Sequence, residues 1–235
     1  MCEKTKMHVL ITGGNRGLGF ALVNVFLKEG HDVMTIVRSD SAKKMVEKNS
    51  PQCVPLLADI TNYSELIELE YLKNNKIDVL INNAGKGSSG TSVTDTAPDE
   101  IEKQFMVHCL GVFNVAKASY SALAKSKNPI IVNISSRLGS MPKNALGEFE
   151  GKGFSYGYRI GKCAQNMLTQ CLSQDLGPKG FKVCALHPGR LLTSSGASDA
   201  HMMPHESAQK IYNLLIENKI ANGGYYCVET GTLPW

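Results

Sequence analysis

The sequence predicts an α/β fold: a doubly wound parallel sheet of about seven strands, with helices on both faces. Three observations support this prediction. Short apolar runs alternate with amphipathic helical patterns along the chain, a glycine-rich segment joins the first run to the first helical pattern, and 235 residues suit one undivided domain spanning 1–235. Alternating strands and helices favour a parallel sheet that is covered on both faces.

Residues 7–37 contain the first strand–helix–strand unit. Residues 7–11 form an apolar run, a helical pattern extends from Phe20 to Leu27 and ends near Gly30, and 33–37 form the next run. Further strands are predicted at 53–57, 79–82, 130–134, 182–186 and 225–228. Helices are predicted at 42–48, 63–73, 99–125, 156–176 and 205–218.

Three longer segments lack a regular pattern, and each follows a predicted strand: 86–97, 137–155 and 190–204. In an open parallel sheet, ligands bind beyond the carboxyl ends of the strands. We therefore expect these segments to border the functional site. The several glycines in the second segment predict a mobile stretch beside the pocket.

Composition argues against several kinds of partner. The net charge is only +4 and the basic residues form no block, so no nucleic-acid partner is expected. No apolar run has the length of a membrane span, and no signal peptide is recognised, so we expect a cytoplasmic protein. The seven cysteines are odd in number and lack a C-x-x-C spacing, which favours buried free thiols over a disulfide framework or a metal site.

The glycine-rich segment predicts a dinucleotide site. Gly13, Gly17 and Gly19 lie between a predicted strand and a predicted helix. Glycines let the backbone approach a pyrophosphate, and the helix N-terminus offers unpaired N–H groups to it. Arg38 stands at the end of the second strand, where an acid would bind a ribose hydroxyl, and Arg16 lies in the turn; both suit a 2′-phosphate. NADP(H) is therefore preferred over NAD(H), unless both arginines are ordinary surface residues.

A tyrosine and a lysine predict proton transfer. Tyr158 and Lys162 are four residues apart on a predicted helix and share a face, whereas Tyr156 has no lysine at that spacing. An ammonium near the phenol, together with an oxidised nicotinamide, favours the phenolate. Tyr158 can then exchange a proton with a carbonyl oxygen while Ser136 stabilises that oxygen. Taken alone, such a pair usually lies on a helix surface.

These motifs resemble the short-chain dehydrogenase/reductase family, whose nucleotide-binding domain is a Rossmann fold, and the resemblance covers essentially the whole chain. The family's glycine motif matches Thr12 to Gly19, its N-N-A-G motif matches Asn82 to Gly85, and its P-G motif matches Pro188-Gly189. The resemblance implies a catalytic Ser136, Tyr158 and Lys162. It implies these cofactor-binding residues: Gly13, Asn15, Arg16, Gly17, Leu18, Gly19, Arg38, Asp59, Ile60, Asn83, Ala84, Gly85, Tyr158, Lys162, Pro188, Gly189 and Thr193.

Finer features resemble the carbonyl-reductase branch that includes the sniffer and C-factor proteins. They are Asn15-Arg16, the run from Tyr156 to Arg159, and the final Leu233-Pro234-Trp235. This resemblance implies NADPH-dependent reduction of a ketone, aldehyde or quinone carbonyl, or alcohol oxidation in reverse. It leaves two alternatives: a low-turnover dinucleotide-binding signalling protein of C-factor type, and a reductase of one specialised metabolite. A homodimer is the favoured assembly.

The chain departs from the family pattern at several positions. His108 stands where the family has an asparagine that supports a proton relay, so His108 either takes over this role or only fills space. Gly161 stands where a serine commonly precedes the lysine. The segment 137–155 is longer than in many members, and the segment after Pro188 is short. A short lid implies an exposed substrate cleft, and Met141, Met202 and Met203 are candidates to line it.

Overall fold

The computed structural model describes residues 5–193 and 200–235, and in these ranges the chain forms one eight-stranded sheet. The strand order is β3-β2-β1-β4-β5-β6-β7-β8. Strands β1 to β7 are parallel, and β8 pairs antiparallel with β7. The strands are β1 His8–Thr12, β2 Asp32–Val37, β3 Val54–Leu57, β4 Val79–Asn82, β5 Ile130–Ile134, β6 Lys182–His187, β7 Tyr225–Cys227 and β8 Gly231–Thr232. The predicted fold class is confirmed, with one short strand added.

Helices follow the parallel strands, as expected for a doubly wound sheet. They are α1 Gly17–Lys28, α2 Asp40–Asn49, α3 Tyr63–Ile67, α4 Glu70–Asn74, α5 Pro98–Phe105, α6 Gly111–Leu123, α7 Met141–Ala145, α8 Tyr156–Leu176 and α9 Pro204–Ile216. A π-helical segment, Met106–Leu110, joins α5 to α6, and short 3₁₀ turns occupy Arg137–Gly139 and Gly177–Lys179. Among the described residues, no helix is both long enough and apolar enough to cross a membrane.

Three segments differ from the sequence prediction. The helix expected at 63–73 is divided into α3 and α4, because Leu69 has an extended backbone with ψ 97°. The helix expected at 99–125 changes to π geometry at its centre. The segment 137–155, expected to be irregular, contains a 3₁₀ turn and α7. A break of two residues, as between α3 and α4, is too short for the apolar pattern to reveal.

Each face of the sheet carries a hydrophobic core. On β1, Val9 and Ile11 point to the layer of α1 and α9, whereas Leu10 points to the opposite layer with α6. All three side chains are fully buried. Such alternation, with both sides apolar, is what a parallel sheet covered by two helical layers requires.

Thr35 on β2 holds the glycine-rich turn in place. Its hydroxyl accepts a hydrogen bond from the Gly14 N–H at 2.9 Å and donates one to the Ile11 carbonyl at 2.8 Å. Thr35 is fully buried. A Cβ added at Gly14 would lie 2.4 Å from this hydroxyl, so glycine is required there. The turn after β1 is thus fixed by a side chain from the neighbouring strand.

Replacing Thr35 by valine keeps the shape of the side chain and removes both hydrogen bonds. Because the Gly14 N–H and the Ile11 carbonyl lose a buried partner, we expect a loss of about 1–3 kcal/mol in the free energy of unfolding. Urea unfolding measures this loss. The control is Thr232→Val on the exposed strand β8, which is expected to stay within about 0.5 kcal/mol of the parent protein. Equal stability of the Thr35 and Thr232 variants would contradict the role of Thr35.

Candidate functional site

A cleft of about 610 Å³ lies at the carboxyl ends of β1, β2 and β4. Most of the predicted cofactor residues line it: Gly13, Asn15, Arg16, Gly17, Leu18, Gly19, Arg38, Asp59, Ile60, Asn83, Ala84, Gly85 and Thr193. The cleft thus brings together residues from five separate parts of the sequence. Tyr158, Lys162, Pro188 and Gly189 are not among its lining residues.

The sequence analysis missed several residues that line the same cleft. They are Ile36, Val37, Ser39, Ser41, Ala42, Met45, Ala58, Lys86, Val107, Leu191, Leu192 and Pro204. Two of them carried a usable signal. Ser39 directly follows Arg38 and Ser41 is two residues further on, and a serine in front of a helical pattern is a common N-cap. The apolar members had no such signal, because their spacing is that of ordinary core residues.

The glycine turn has the shape needed for a close ligand. Gly13 and Gly17 adopt φ values of +75° and +55°, which favour glycine. A Cβ at Gly19 would lie 2.1 Å from the Gly13 carbonyl oxygen. Helix α1 begins after Arg16 with no capping side chain and no acid in its first turn. Its first N–H groups and the positive end of its dipole are therefore available to an anion.

The loop after β4 is bonded directly to this turn. The Thr12 hydroxyl accepts hydrogen bonds from the N–H groups of Asn83 at 3.0 Å and Ala84 at 2.9 Å. The Asn83 amide in turn donates to the Thr12 carbonyl at 2.9 Å. These three bonds fix two walls of the cleft relative to each other.

The opposite end of the cleft combines cations and hydroxyls. Arg16 and Arg38 both line it. Ser39 caps α2 by accepting from the Ala42 N–H at 3.3 Å, and its hydroxyl lies 3.0 Å from that of Ser41. Guanidinium and hydroxyl groups around a helix N-terminus are groups that can bind a phosphate-sized anion.

A second group of predicted residues meets beyond β5. Ser136 is the residue before the 3₁₀ turn and is buried, and Tyr158 and Lys162 lie in the first two turns of α8. The Tyr158 phenol is hydrogen bonded to the side chain of Ser136. The Lys162 ammonium donates to the Ile134 carbonyl at 2.6 Å and to Gln165 Oε1 at 2.9 Å. A hydroxyl, a phenol and an amine thus share one buried corner.

Burial controls the titration of this group. It raises the pKa of Tyr158, and the hydrogen bond from Ser136 opposes the rise. It also lowers the pKa of Lys162 to about 7. The sequence-based expectation that Lys162 lowers the tyrosine pKa is not met in this geometry. Lys162 Nζ lies 5.7 Å from the centre of the Tyr158 ring and is itself partly uncharged near neutral pH, so the burial of the phenol dominates.

His108 packs against the same tyrosine. The two ring centres are 5.3 Å apart and the rings are nearly perpendicular, at 87°. His108 Nε2 lies 3.3 Å from the Lys86 carbonyl, and within the described ranges its buried Nδ1 has no hydrogen-bond partner. Burial, followed by the positive charge of Lys162, places its pKa well below the ordinary range, so the imidazole is neutral. In this structure His108 supports the tyrosine ring.

The glycine before Lys162 has a packing role. A Cβ at Gly161 would lie 3.1 Å from the Gln104 carbonyl, and one at Gly157 would lie 3.2 Å from the Glu100 carbonyl. Helix α8 therefore approaches α5 very closely at both glycines. This contact explains why a glycine, and not the serine that is common in the family, stands before Lys162.

Pro188 and Gly189 follow β6. The Pro188 carbonyl accepts from the Ser207 hydroxyl at 2.6 Å, and Gly189 has φ +86°. Of the candidate methionines, Met202 is buried, while Met141 and Met203 are exposed. Residues 194–199 of the expected short lid, like Cys2, lie outside the described residues.

Comparison with known proteins identifies the class. An open doubly wound sheet with a glycine cleft is the architecture of nicotinamide-dinucleotide oxidoreductases. Residues 7–203 match the family model described as short chain dehydrogenase, and the chain belongs to this family.

Individual relatives agree with the predicted branch. C-signal of Myxococcus xanthus is 30% identical over 160 residues, which is 68% of this chain and 93% of that protein. The structure of carbonyl reductase Sniffer of D. melanogaster has a TM-score of 0.85 at 28% identity and covers 98% of this chain and 100% of its own. The NADPH bound carbonyl reductase from chicken fatty liver has a TM-score of 0.86 at 23% identity over 99% and 100% of the two chains, which supports the fold.

The buried lysine is expected to make stability depend on pH. The pKa of Lys162 is about 7 in the folded chain and 10.5 for an ordinary lysine, so between these values the unfolded chain binds one more proton. Stability should therefore rise with pH across this window, by at most about 1.4 kcal/mol per pH unit for one proton. Urea unfolding of the parent protein and of Lys162→Met at several pH values measures the contribution. The free energy of unfolding of the parent protein minus that of Lys162→Met should increase towards alkaline pH. If this difference does not change with pH, Lys162 keeps an ordinary pKa.

Proposed function

We propose that this protein is an NADPH-dependent reductase of a ketone, aldehyde or quinone carbonyl. The observation that carries the proposal is the meeting of Ser136, Tyr158 and Lys162 in one buried corner of a chain that also forms a glycine-lined cleft. The Sniffer structure, 28% identical to this chain, is named a carbonyl reductase, which supports the same reaction class.

The cleft fits a dinucleotide. Added side chains at Gly13 and Gly19 would collide with neighbouring atoms, so the backbone is bare where a pyrophosphate needs close approach. The uncapped start of α1 supplies N–H donors for it. When bound, NADPH supplies the hydride that reduces the carbonyl carbon.

The preference for NADP(H) rests on the end of the cleft near α2. Arg16 and Arg38 provide charge, and Ser39 and Ser41 provide hydroxyl donors, around the place where a ribose 2′-phosphate would lie. Arg38 occupies the position at the end of β2 where an acidic residue would favour NAD(H). Asp59 is held by Thr61, whose N–H and hydroxyl both donate to its Oδ1 at 2.8 Å, and it forms the adenine side of the site.

In this proposal Tyr158 gives its phenolic proton to the carbonyl oxygen as the carbon is reduced. A raised pKa keeps the phenol protonated through neutral pH, which suits an acid in the reductive direction. Ser136 donates to the same oxygen and stabilises its developing charge. Lys162 holds the nicotinamide ribose, and His108 orients the Tyr158 ring without transferring a proton. Pro188, Gly189 and Thr193 complete the nicotinamide end.

Replacing Tyr158 by phenylalanine removes the acid and little else. We expect kcat/KM for carbonyl reduction to fall at least about 100-fold, because general acid catalysis contributes this much or more. The measurement is NADPH oxidation at 340 nm with a panel of quinones, aldehydes and ketones. Tyr156→Phe is the matched control, since it removes the hydroxyl of an exposed tyrosine on the same helix, and it should change activity by no more than about twofold.

The panel also separates the alternatives. Full activity of Tyr158→Phe on every active substrate would overturn the catalytic assignment. Tight NADPH binding without turnover of any carbonyl would favour a signalling protein like C-signal, or a reductase of one specialised substrate. The retention of the buried serine, tyrosine and lysine together favours turnover.

Replacing Arg38 by glutamine tests the cofactor preference. Losing a charged hydrogen bond worth about 1.5–3 kcal/mol should raise the NADPH dissociation constant roughly 10- to 100-fold and leave NADH binding nearly unchanged. Fluorescence titration with both cofactors measures the two constants. Lys48→Gln, a change of an exposed cation at the far end of α2, is the control. Equal weakening of NADPH and NADH by Arg38→Gln would count against the 2′-phosphate contact.

A further inference from the structure

A second cluster of chemically active side chains lies at the carboxyl ends of β6 and β7. One ligand atom each from His187, Cys227 and Glu229 lies within 4.8 Å of the other two. The sheet register explains the first pair: His187 and Cys227 are directly opposite on adjacent parallel strands, so their side chains point to the same face. Glu229 follows two residues after Cys227. Lys162 of the proposed active site lies on α8 and is not part of this cluster.

His187 has an unfilled hydrogen-bonding position. Its side chain is 93% buried, since only 7% of the residue is exposed, and within the described ranges Nδ1 has no hydrogen-bond partner. A buried ring nitrogen without a partner costs free energy unless something binds it, and an imidazole nitrogen with a free lone pair is a common metal ligand.

The two partners of His187 are also prepared as ligands. The Cys227 sulfur is buried and accepts a hydrogen bond from the Glu229 N–H at 3.4 Å, which fixes its position. The carboxylate of Glu229 is oriented through both oxygens: Oε2 accepts from the Arg190 N–H at 3.2 Å, and Oε1 lies 2.7 Å from His201 Nε2. A Cβ at Gly189 would lie 2.9 Å from Oε2, so the glycine leaves room for this carboxylate.

We propose that His187, Cys227 and Glu229 bind a divalent zinc ion. One nitrogen, one sulfur and one oxygen ligand form a set that zinc accepts and that magnesium or calcium does not. His201 holds the carboxylate in place from outside the metal. Three protein ligands leave the fourth tetrahedral position to water.

The surrounding charges permit such an ion. The cations that act on His187 are Arg137, Arg190 and Lys162, and Glu229 acts on it with the opposite sign. A zinc ion with one thiolate and one carboxylate forms a complex with no net charge, so it does not repel those cations. Zinc bonds of about 2.0–2.3 Å require the ligand atoms to close to roughly 3.5 Å apart. Glu229 lies beyond the end of β7, so its carboxylate and the His201 ring bonded to it would shift together to close this distance.

The site would join the ends of two strands and the loop that starts at Pro188. The ion would bridge β6 and β7 at the point where their hydrogen-bonded pairing ends, at His187 and Cys227. Bound zinc should therefore stabilise the folded chain, by an amount that grows with the logarithm of the zinc concentration over the dissociation constant. This effect is independent of any carbonyl reduction, so the test does not depend on the proposed activity.

The experiment is a metal titration of the full chain after treatment with a chelator under reducing conditions. We expect one zinc ion per chain, and one Co²⁺ ion that shows thiolate-to-metal charge-transfer absorption. Cys227→Ser should weaken zinc binding at least about 100-fold, and Glu229→Gln, which keeps the shape of the side chain, at least about 10-fold. Cys171→Ser, at an exposed thiol, is the matched control and should change binding no more than about twofold.

Circular dichroism of each variant establishes that it is folded before the titration is interpreted. If Cys227→Ser fails to fold, the proposal is tested by the zinc affinity of Glu229→Gln and by the thiolate band of cobalt bound to the parent protein. The proposal is overturned if the parent protein binds zinc no more tightly than the Glu229→Gln variant, or if cobalt binds without a thiolate band. It is also overturned if Cys171→Ser abolishes binding, because the metal would then sit on surface thiols.

Discussion

The position of the proposed catalytic helix depends on a row of buried hydrogen bonds between α8 and the end of β5. The face of α8 that packs on the sheet is polar. Asn133 donates to the Thr169 hydroxyl at 2.9 Å, Ser135 donates to Asn166 at 2.6 Å, and Asn166 donates to the Gly139 carbonyl at 3.1 Å. Directional bonds of this kind define one position of the helix, whereas apolar packing alone allows it to slide.

The same row explains the chemistry at the start of α8. The Lys162 bond to the Ile134 carbonyl continues the series and places the amine beneath the tyrosine. Because the amine is desolvated there, its charge is reduced, and the phenol beside it is desolvated as well. The hydrogen bonds that hold α8 on the sheet thus also set the electrostatics of the proposed active site.

Much of the fold could be predicted from the sequence, for a physical reason. Strands buried on both faces are continuous apolar runs, and the glycines at 13, 17 and 19 mark a turn that favours glycine, so β1, α1 and the cleft follow directly. The contacts that cross the sequence could not be predicted. Thr35 lies more than twenty positions from Gly14, and its hydroxyl resembles any other strand threonine until the register is known.

The candidate site divides in the same way. Ser136, Tyr158 and Lys162 were accessible because their spacing is local or matches a family motif. The lowered pKa of Lys162 could not be predicted, because burial is a property of the packed structure. The cluster at the ends of β6 and β7 could not be predicted, since His187 and Cys227 become neighbours only through strand pairing. The π-helical segment Met106–Leu110, which contains His108, could not be predicted from the apolar pattern either.

The two outer strands of the sheet carry a consequence for the behaviour of the chain in concentrated solution. A sheet ends in unpaired backbone groups that can template the addition of another chain. On one side Pro55 in β3 removes an amide donor, and on the other side β8 is only two residues long and runs into Pro234. Both edges are therefore poor templates for intermolecular strand pairing, and the sheet terminates instead of growing into an aggregate.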